Sequence, residues 1–304
     1  MSMPMTTGSL ARLIYPGVNA FFMNKYKEHD QQWDKLFNSY DSKRNFEEDV
    51  GLVGFGLMSR KDELAPVTYD SMKQGWTVRY YMTVYALGFM ISRELVEDNL
   101  YSEVSLKKAS MLAVSARQTK EIIAANVYNR AFTSTYTGGD AKELCATDHP
   151  NVSGSTYANE LATAANISEA ALEQACIDIR KWTDDRGNRM NFKPQSLIIP
   201  VDLEFEIDRI LKSPGRVGTA DNDINVLKQM GKFPKGVHVN NYLTSTTAWF
   251  IRTDCPESMK HFKRRALEFT TDNDFDTENA KFKATERYGF GWTDPKGVFG
   301  TPGV

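Results

Sequence analysis

Apolar and polar positions along this chain alternate in rhythms that change several times. From Val18 to Tyr40, Phe22, Tyr26, Trp33 and Phe37 recur close to every 3.6 residues with charges between them, which predicts an amphipathic helix. The polar residues 1–17 before it, with Pro4, Pro16 and Gly17, predict an extended arm without a core of its own. The stretch "VGLVGFGLM" (Val50–Met58) is apolar and glycine-rich, and "WTVRYYMTVYALGFMIS" (Trp76–Ser92) is aromatic and β-branched. In the latter, Trp76, Val78, Tyr80, Met82 and Val84 fall on one face of a strand. The charged "SRKDELAPVTYDSMKQG" separates the two stretches and contains Pro66. Together they predict a long two-stranded ribbon with a polar, reaching tip, which is marginal alone in water and needs a partner surface.

Arg93 to Thr133 contains neither proline nor glycine and is rich in strong helix formers, so one long helix, or one with a single break, is expected there. At full length it would run about 60 Å and serve as a beam for other elements. A loop or hairpin follows at Thr137–Asn159. A second helix starts at Ser168, a good N-cap, with Leu172, Ala175, Cys176 and Ile179 on its apolar face. "SLIIP" (Ser196–Pro200) reads as a buried strand stopped by proline, "VDLEFEIDRILKS" as helix, "SPGRVGTADNDINVLKQMG" as loop and "TAWFIRT" (Thr247–Thr253) as strand. The tail "KFKATERYGFGWTDPKGVFG" alternates to the end. Short strands and helices without a βαβ rhythm indicate an α+β protein.

Composition adds limits. The 304 residues, 41% hydrophobic and 25% charged, are enough for a sizeable core and about two domains. The 37 Lys+Arg nearly balance 39 Asp+Glu, unlike a protein that grips nucleic acid. The one short basic run, "KHFKRR" (Lys260–Arg265), reads as a solvated face. Three scattered cysteines give neither a disulfide framework nor a zinc ribbon, which fits a reducing compartment. No signal-peptide layout and no apolar run of membrane-spanning length is present, so a cytoplasmic, non-membrane protein is expected.

Candidate chemistry is sparse. Asp272, Asp274, Asp276 and Glu278 alternate like a calcium loop, but Thr277 stands where the EF-hand glycine belongs and Lys283 where its glutamate belongs. A polar turn between strands is the better reading, with a metal-dependent enzyme using 272–278 kept as the rival. Asp148 beside His149 suggests a base and its orienter, yet adjacent residues in an extended loop point opposite ways. Phosphate-loop, zincin and serine-elbow motifs are absent, and the glycines at 51, 54 and 56 suit bending or close approach in a strand. No catalytic, cofactor or metal residue is assigned. What remains is an arm, a ribbon, a beam and a sheet-like tail, parts that expose unsatisfied surface unless neighbours cover them.

Three stretches, in their order and spacing, carry a family resemblance: "LCATDHPNVSGSTYAN", "PQSLIIPVDLEFEIDRILKS" and "EFTTDNDFDTENAKFKATERYGFGWTDPKGVFG". The chain resembles the major capsid proteins of tailed bacteriophages, with the Hong Kong 97-type fold, over most of its length. The resemblance implies an N-terminal arm (1–45), an E-loop ribbon (46–92), a peripheral domain with the spine helix (93–165), an axial domain (166–261) and a return to the peripheral sheet (262–304). It implies a structural, non-enzymatic protein that forms hexamers and pentamers of an icosahedral shell enclosing DNA, contacted non-specifically on the inner face. Implied partners are a separate scaffolding protein, a portal and decoration proteins, with synthesis in the host bacterial cytoplasm and residence in the virion. The E-loop would lie over a neighbouring subunit, making Arg60, Lys61, Asp62, Glu63 and Lys73 candidate inter-subunit contacts. Some members cross-link through a lysine of this loop; Lys61 and Lys73 are available, but no motif fixes a partner. An encapsulin-type nanocompartment shell, the same fold around a protein cargo, is the alternative.

Overall fold

The structure, a computed structural model, describes residues 7–92, 94–95, 101–215, 224–273 and 279–304. Two four-stranded sheets organise it, joined by one long helix. The first sheet has the order β1 (Asn38–Asp41), β10 (Met259–Asn273), β11 (Ala280–Trp292), β4 (Thr83–Ile91). Its β1 runs parallel to β10 and its other pairs are antiparallel. The second has the order β12 (Val298–Thr301), β9 (Trp249–Thr253), β7 (Pro194–Pro200), β8 (Val237–Asn240), with only β7 and β8 parallel. Two antiparallel pairs stand apart from these sheets: β2 (Phe46–Val53) with β3 (Lys73–Tyr81), the ribbon, and the short β5 (His149–Pro150) with β6 (Thr156–Tyr157).

Helix α1 (Thr7–Glu28) replaces both the coreless arm expected up to residue 17 and the helix expected to run on to Tyr40. It forms because Val18 and Phe22 have somewhere to go: they pack with Ala109, Leu112 and Ala113 of α2 (Tyr101–Asn129) and with Phe269 and Phe282 of the sheet. Burial of that kind outweighs the helix-breaking tendency of Pro16. The helix stops because α2 takes the following backbone away. The Glu121 carboxylate accepts hydrogen bonds from Gln32 N (3.1 Å) and Trp33 N (2.9 Å), and Arg117 donates to Tyr26 O (2.8 Å). The chain then makes a single 3-10 turn at Trp33–Lys35 and enters β1.

The described length of α2 is 29 residues, or about 44 Å at 1.5 Å per residue. Residues 93 and 96–100 of the expected beam lie outside the described residues. The helix ends at Asn129, whose side chain donates to Tyr242 O (3.1 Å) and accepts from Thr244 N (3.0 Å). One face of α2 is charged and buried. Lys120 pairs with Glu286 of β11 at 2.5 Å, both almost fully enclosed, with Trp33 and Tyr288 rings beside the ammonium. Burial pulls the Lys120 ammonium below its usual range, and Glu286 partly offsets this. Removing one partner of such a pair leaves an uncompensated charge, at about 3–5 kcal/mol.

The strand "TVRYYMTVYALGFMI" changes partner in the middle. Tyr80 and Met82 are buried against Phe262, but Trp76 and Val84 are exposed. Arg287 Nε donates to Met82 O (3.0 Å), and from Thr83 onward the chain pairs with β11 instead of β2. The ribbon therefore ends at Tyr81, well short of Ser92. The basic run "KHFKRR" also differs from expectation. It lies on β10, between β1 and β11, so Lys260, His261 and Phe262 are buried. Lys260 donates to Asp49 (2.6 Å) and to Glu257. The tail leaves the first sheet after Trp292, and "VFGT" becomes β12 of the second. Val298 and Phe299 fill core positions there, and a side chain at Gly300 would run into the Phe250 ring and the Cys145 sulfur.

The elements expected between Ser168 and Ser213 form closely as read. The Ser168 hydroxyl caps α3 (Glu169–Lys181) by accepting from Ala171 N, and Leu172, Ala175, Cys176 and Ile179 are buried. Strand β7 is largely buried, and Pro200 leads into a 3-10 turn and α4 (Glu204–Lys212). Within the expected loop, Val226–Met230 forms the short α5.

Two outcomes follow. Burial, then Lys120 and Lys263 nearby, push the His261 imidazole down to about 3, so it stays neutral in the fold. An unfolded chain takes up that proton below pH ~6.5, so the stabilisation is complete above ~6.5 and declines as pH falls toward 3. Denaturant titrations should show the stability difference between wild type and His261→Gln shrinking by about 1.2 kcal/mol between pH 6 and 5; a pH-independent difference would contradict this assignment. Lys120→Met should destabilise by about 3–5 kcal/mol, whereas Lys120→Met with Glu286→Leu should recover most of the loss.

Candidate assembly interface

The ribbon is stiffened by its own side chains. Glu48 lies directly opposite Arg79, which donates to its carboxylate at 2.7 Å and covers the Phe46 ring. Gly51 sits at a bulge, where a Cβ on Gly75 would lie 3.1 Å from the Gly51 carbonyl oxygen, so both glycines serve close backbone approach. The root is pinned to the body. Tyr80 and Thr293 hydroxyls meet at 2.5 Å, and Asp49 accepts from Thr293 (2.7 Å) and Lys260 (2.6 Å).

Beyond Val53 the chain leaves the ladder and returns to it at Lys73. Inside this loop, Leu64 takes a positive φ of 64° in a turn closed by Ala65 N to Asp62 O. Ser59 and Thr68 hydroxyls bridge the two arms at 3.1 Å. At its base, Asp70 accepts from Gly56 N (2.9 Å), Ser71 N (2.8 Å) and Arg186 Nη1 (2.7 Å), while Arg186 Nη2 donates to Ser71 O (2.8 Å).

The loop is not the polar tip expected. Leu57 is 85% exposed, Met58 100%, Leu64 97% and Tyr69 93%, with Phe55 and Val67 also open to solvent. The candidate contacts Arg60, Lys61, Asp62 and Glu63 lie among them, and Lys73 begins β3 opposite Val53. Only Arg60 and Asp62 are brought together, at 3.5 Å; Lys61, Glu63 and Lys73 form no ion pair with described residues. The apolar residues were visible in the sequence, but a charged segment draws attention to its charges. Arg186 was not visible, since it stands 116 positions from Asp70.

The Asp148–His149 candidate resolves as structure. His149 turns away from Asp148, which pairs with Lys142 at 2.6 Å. It is buried between Asp140 (2.6 Å) and Asn159 (3.0 Å) and stacks on Tyr157. Asn159 also donates to the carbonyls of Leu144, Pro295 and Val298, tying this loop to the C-terminal segment. In the acidic run, Asp272 stands opposite Lys281 near the end of β10, and 274–278 lie outside the described residues. Among the described residues no group of three or more His, Cys, Asp or Glu is placed to hold a metal ion.

A family model described as "Phage capsid protein" matches residues 76–300, well over half of the 304-residue chain. No curated protein sequence matches it. Among solved structures, the virus-like particle from Pyrococcus furiosus aligns with a TM-score of 0.55 at 11% identity, covering 94% of this chain and 98% of that one. The procapsid of bacteriophage JBD30 gives 0.55 at 12%, covering 98% and 76%. A structure of Mycobacterium phage Patience gives 0.54 at 11%, covering 99% and 89%. At these identities the likeness concerns the fold, the α+β Hong Kong 97-type capsid fold expected from the sequence. The family match adds the identity: the chain belongs to the phage capsid protein family, as a major capsid protein that assembles with copies of itself into a virion shell.

Proposed function

We propose that this subunit assembles through its E-loop, with hexamers and pentamers closing an icosahedral shell around packaged phage DNA. The observation that carries the reading is the ribbon itself: a pinned, stiff support that ends in uncovered apolar side chains. Burying each large one stabilises a contact by about 1.5–3 kcal/mol, so a neighbour's surface is the natural cover. Arg60, Lys61, Asp62, Glu63 and Lys73 then act as the polar rim, setting register and encounter rate more than strength. The body divides into a peripheral part around the first sheet and spine helix and an axial part around the second. A separate scaffolding protein and a portal act during assembly in the host cytoplasm. The near-neutral balance of charge suits a wall that touches packed DNA without gripping it. The match to a phage capsid family favours this reading over a cargo-holding nanocompartment, whose shell would share the fold.

Negative-stain microscopy and sizing of the purified chain, alone and with its scaffold, should show rings, tubes or shells; a strict monomer under both conditions would overturn the reading. Leu57→Ser, Met58→Ser and Tyr69→Ser combined should abolish particles while leaving the subunit's melting midpoint within about 2 °C of wild type, because these side chains stabilise nothing in the free chain. Neutralising Arg60, Lys61, Asp62 and Glu63 to alanine should instead slow assembly several-fold at low salt and only slightly at high salt, read by light scattering.

A further inference from the structure

The base of the E-loop is gripped by Arg186 of its own axial part. The turn that makes the contact is rigid: Asp184 accepts from Arg186 N (2.9 Å), Asn188 N (2.8 Å) and Asn188 Nδ2 (3.0 Å). Gly187 closes it with a φ of +82° and its N–H on Asp184 O, and Thr183 bridges Arg189. Asp185 holds the turn to the neighbouring hairpin by accepting from Val152 N (2.8 Å). This platform presents the Arg186 fork to both sides of the loop base. One arm meets Asp70, the other the Ser71 carbonyl, and the guanidinium lies against Gly56. Backbone N–H groups of Gly56 and Ser71, then the Arg186 guanidinium, hold the Asp70 carboxyl below its usual range.

These contacts divide the ribbon into a fixed root and a tip of residues 57–69. The other contacts of the ribbon with the body, at Tyr80 and Asp49 and where Gly139 packs against Trp76, Thr77 and Val78, lie in the paired strands, short of the loop that the ladder no longer holds. We infer that Arg186 is a positioning residue for assembly: its grip on Asp70 and Ser71 fixes the direction in which the E-loop tip meets the next subunit. A planar fork that binds a carboxylate and a carbonyl together fixes an orientation, which a point charge does not. The inference rests on the assembly role proposed for the loop.

The test is a double-mutant cycle in the full chain with Arg186→Gln, Asp70→Asn and both together, plus Arg186→Lys. Three readouts are taken: melting midpoint, tryptic cleavage after Lys73, which begins the protected strand beside the latch, and particle yield and diameter by microscopy. Each single variant should keep the wild-type midpoint, raise cleavage at least about threefold through a larger open population, and broaden particle diameters or lower their yield by a similar factor. The double variant should be no worse than Arg186→Gln alone, because that change already removes the contact that Asp70→Asn weakens. Arg186→Lys should fall between wild type and Arg186→Gln, since it keeps the charge and loses the fork. Singles that assemble like wild type, or single effects that simply add in the double, would overturn the latch. If the Leu57, Met58 and Tyr69 triple-serine chain assembles normally, the loop's assembly role fails instead; if that chain fails to assemble while the latch variants are normal, only the latch fails.

Discussion

Among the described residues, nothing covers the end of the long loop between β2 and β3. Leu57, Met58, Leu64 and Tyr69 stand almost wholly exposed on a support held at its root by Tyr80, Asp49 and Lys260. Folding alone gains nothing from them, and a loop free to collapse would bury them against the body. On the assembly role proposed for the loop, their exposure puts the cost on the free subunit and the gain on the assembly.

The rest of the fold keeps that support stiff. The buried face of α2 binds three parts at once: Arg117 and Glu121 hold the end of α1 and the turn after it, and Lys120 holds β11. Ion pairs this enclosed contribute little net stability compared with apolar packing, but they tolerate little displacement. A second junction, where Tyr128, Phe250 and Val298 meet beside the Asn159 knot, fuses the two sheets into one body.

What could be read from sequence was local. The Ser168 cap, the apolar face Leu172–Ile179 and the proline-stopped strand before Val201 depend on neighbours a few residues away, and they stand as expected. Partner choice was not legible. Nothing in "YYMTVY" tells that the chain leaves β2 at Tyr81 and joins β11 at Thr83, because strand propensity is equal on both sides. The run at Lys260 looked like a solvated face because charge is the usual mark of one, yet Asp49 and Glu257 neutralise Lys260 inside a central strand. Arg186 and Asp70, or Asp140 and His149, acquire meaning only once the fold brings them together. In the loop itself the residues were all visible; their weighting misled, since Leu57, Met58 and Tyr69 matter through the absence of cover, and absence of cover has no local signal.

The most direct test of the central claim is hydrogen exchange on the free subunit and on assembled particles, resolved by peptide. Amides in 57–69 should exchange at unprotected rates in the subunit and become protected on assembly, while the root strands Phe46–Val53 and Lys73–Tyr81 are protected in both. Equal exchange of 57–69 in the two states would contradict an E-loop that finds its cover on a neighbour.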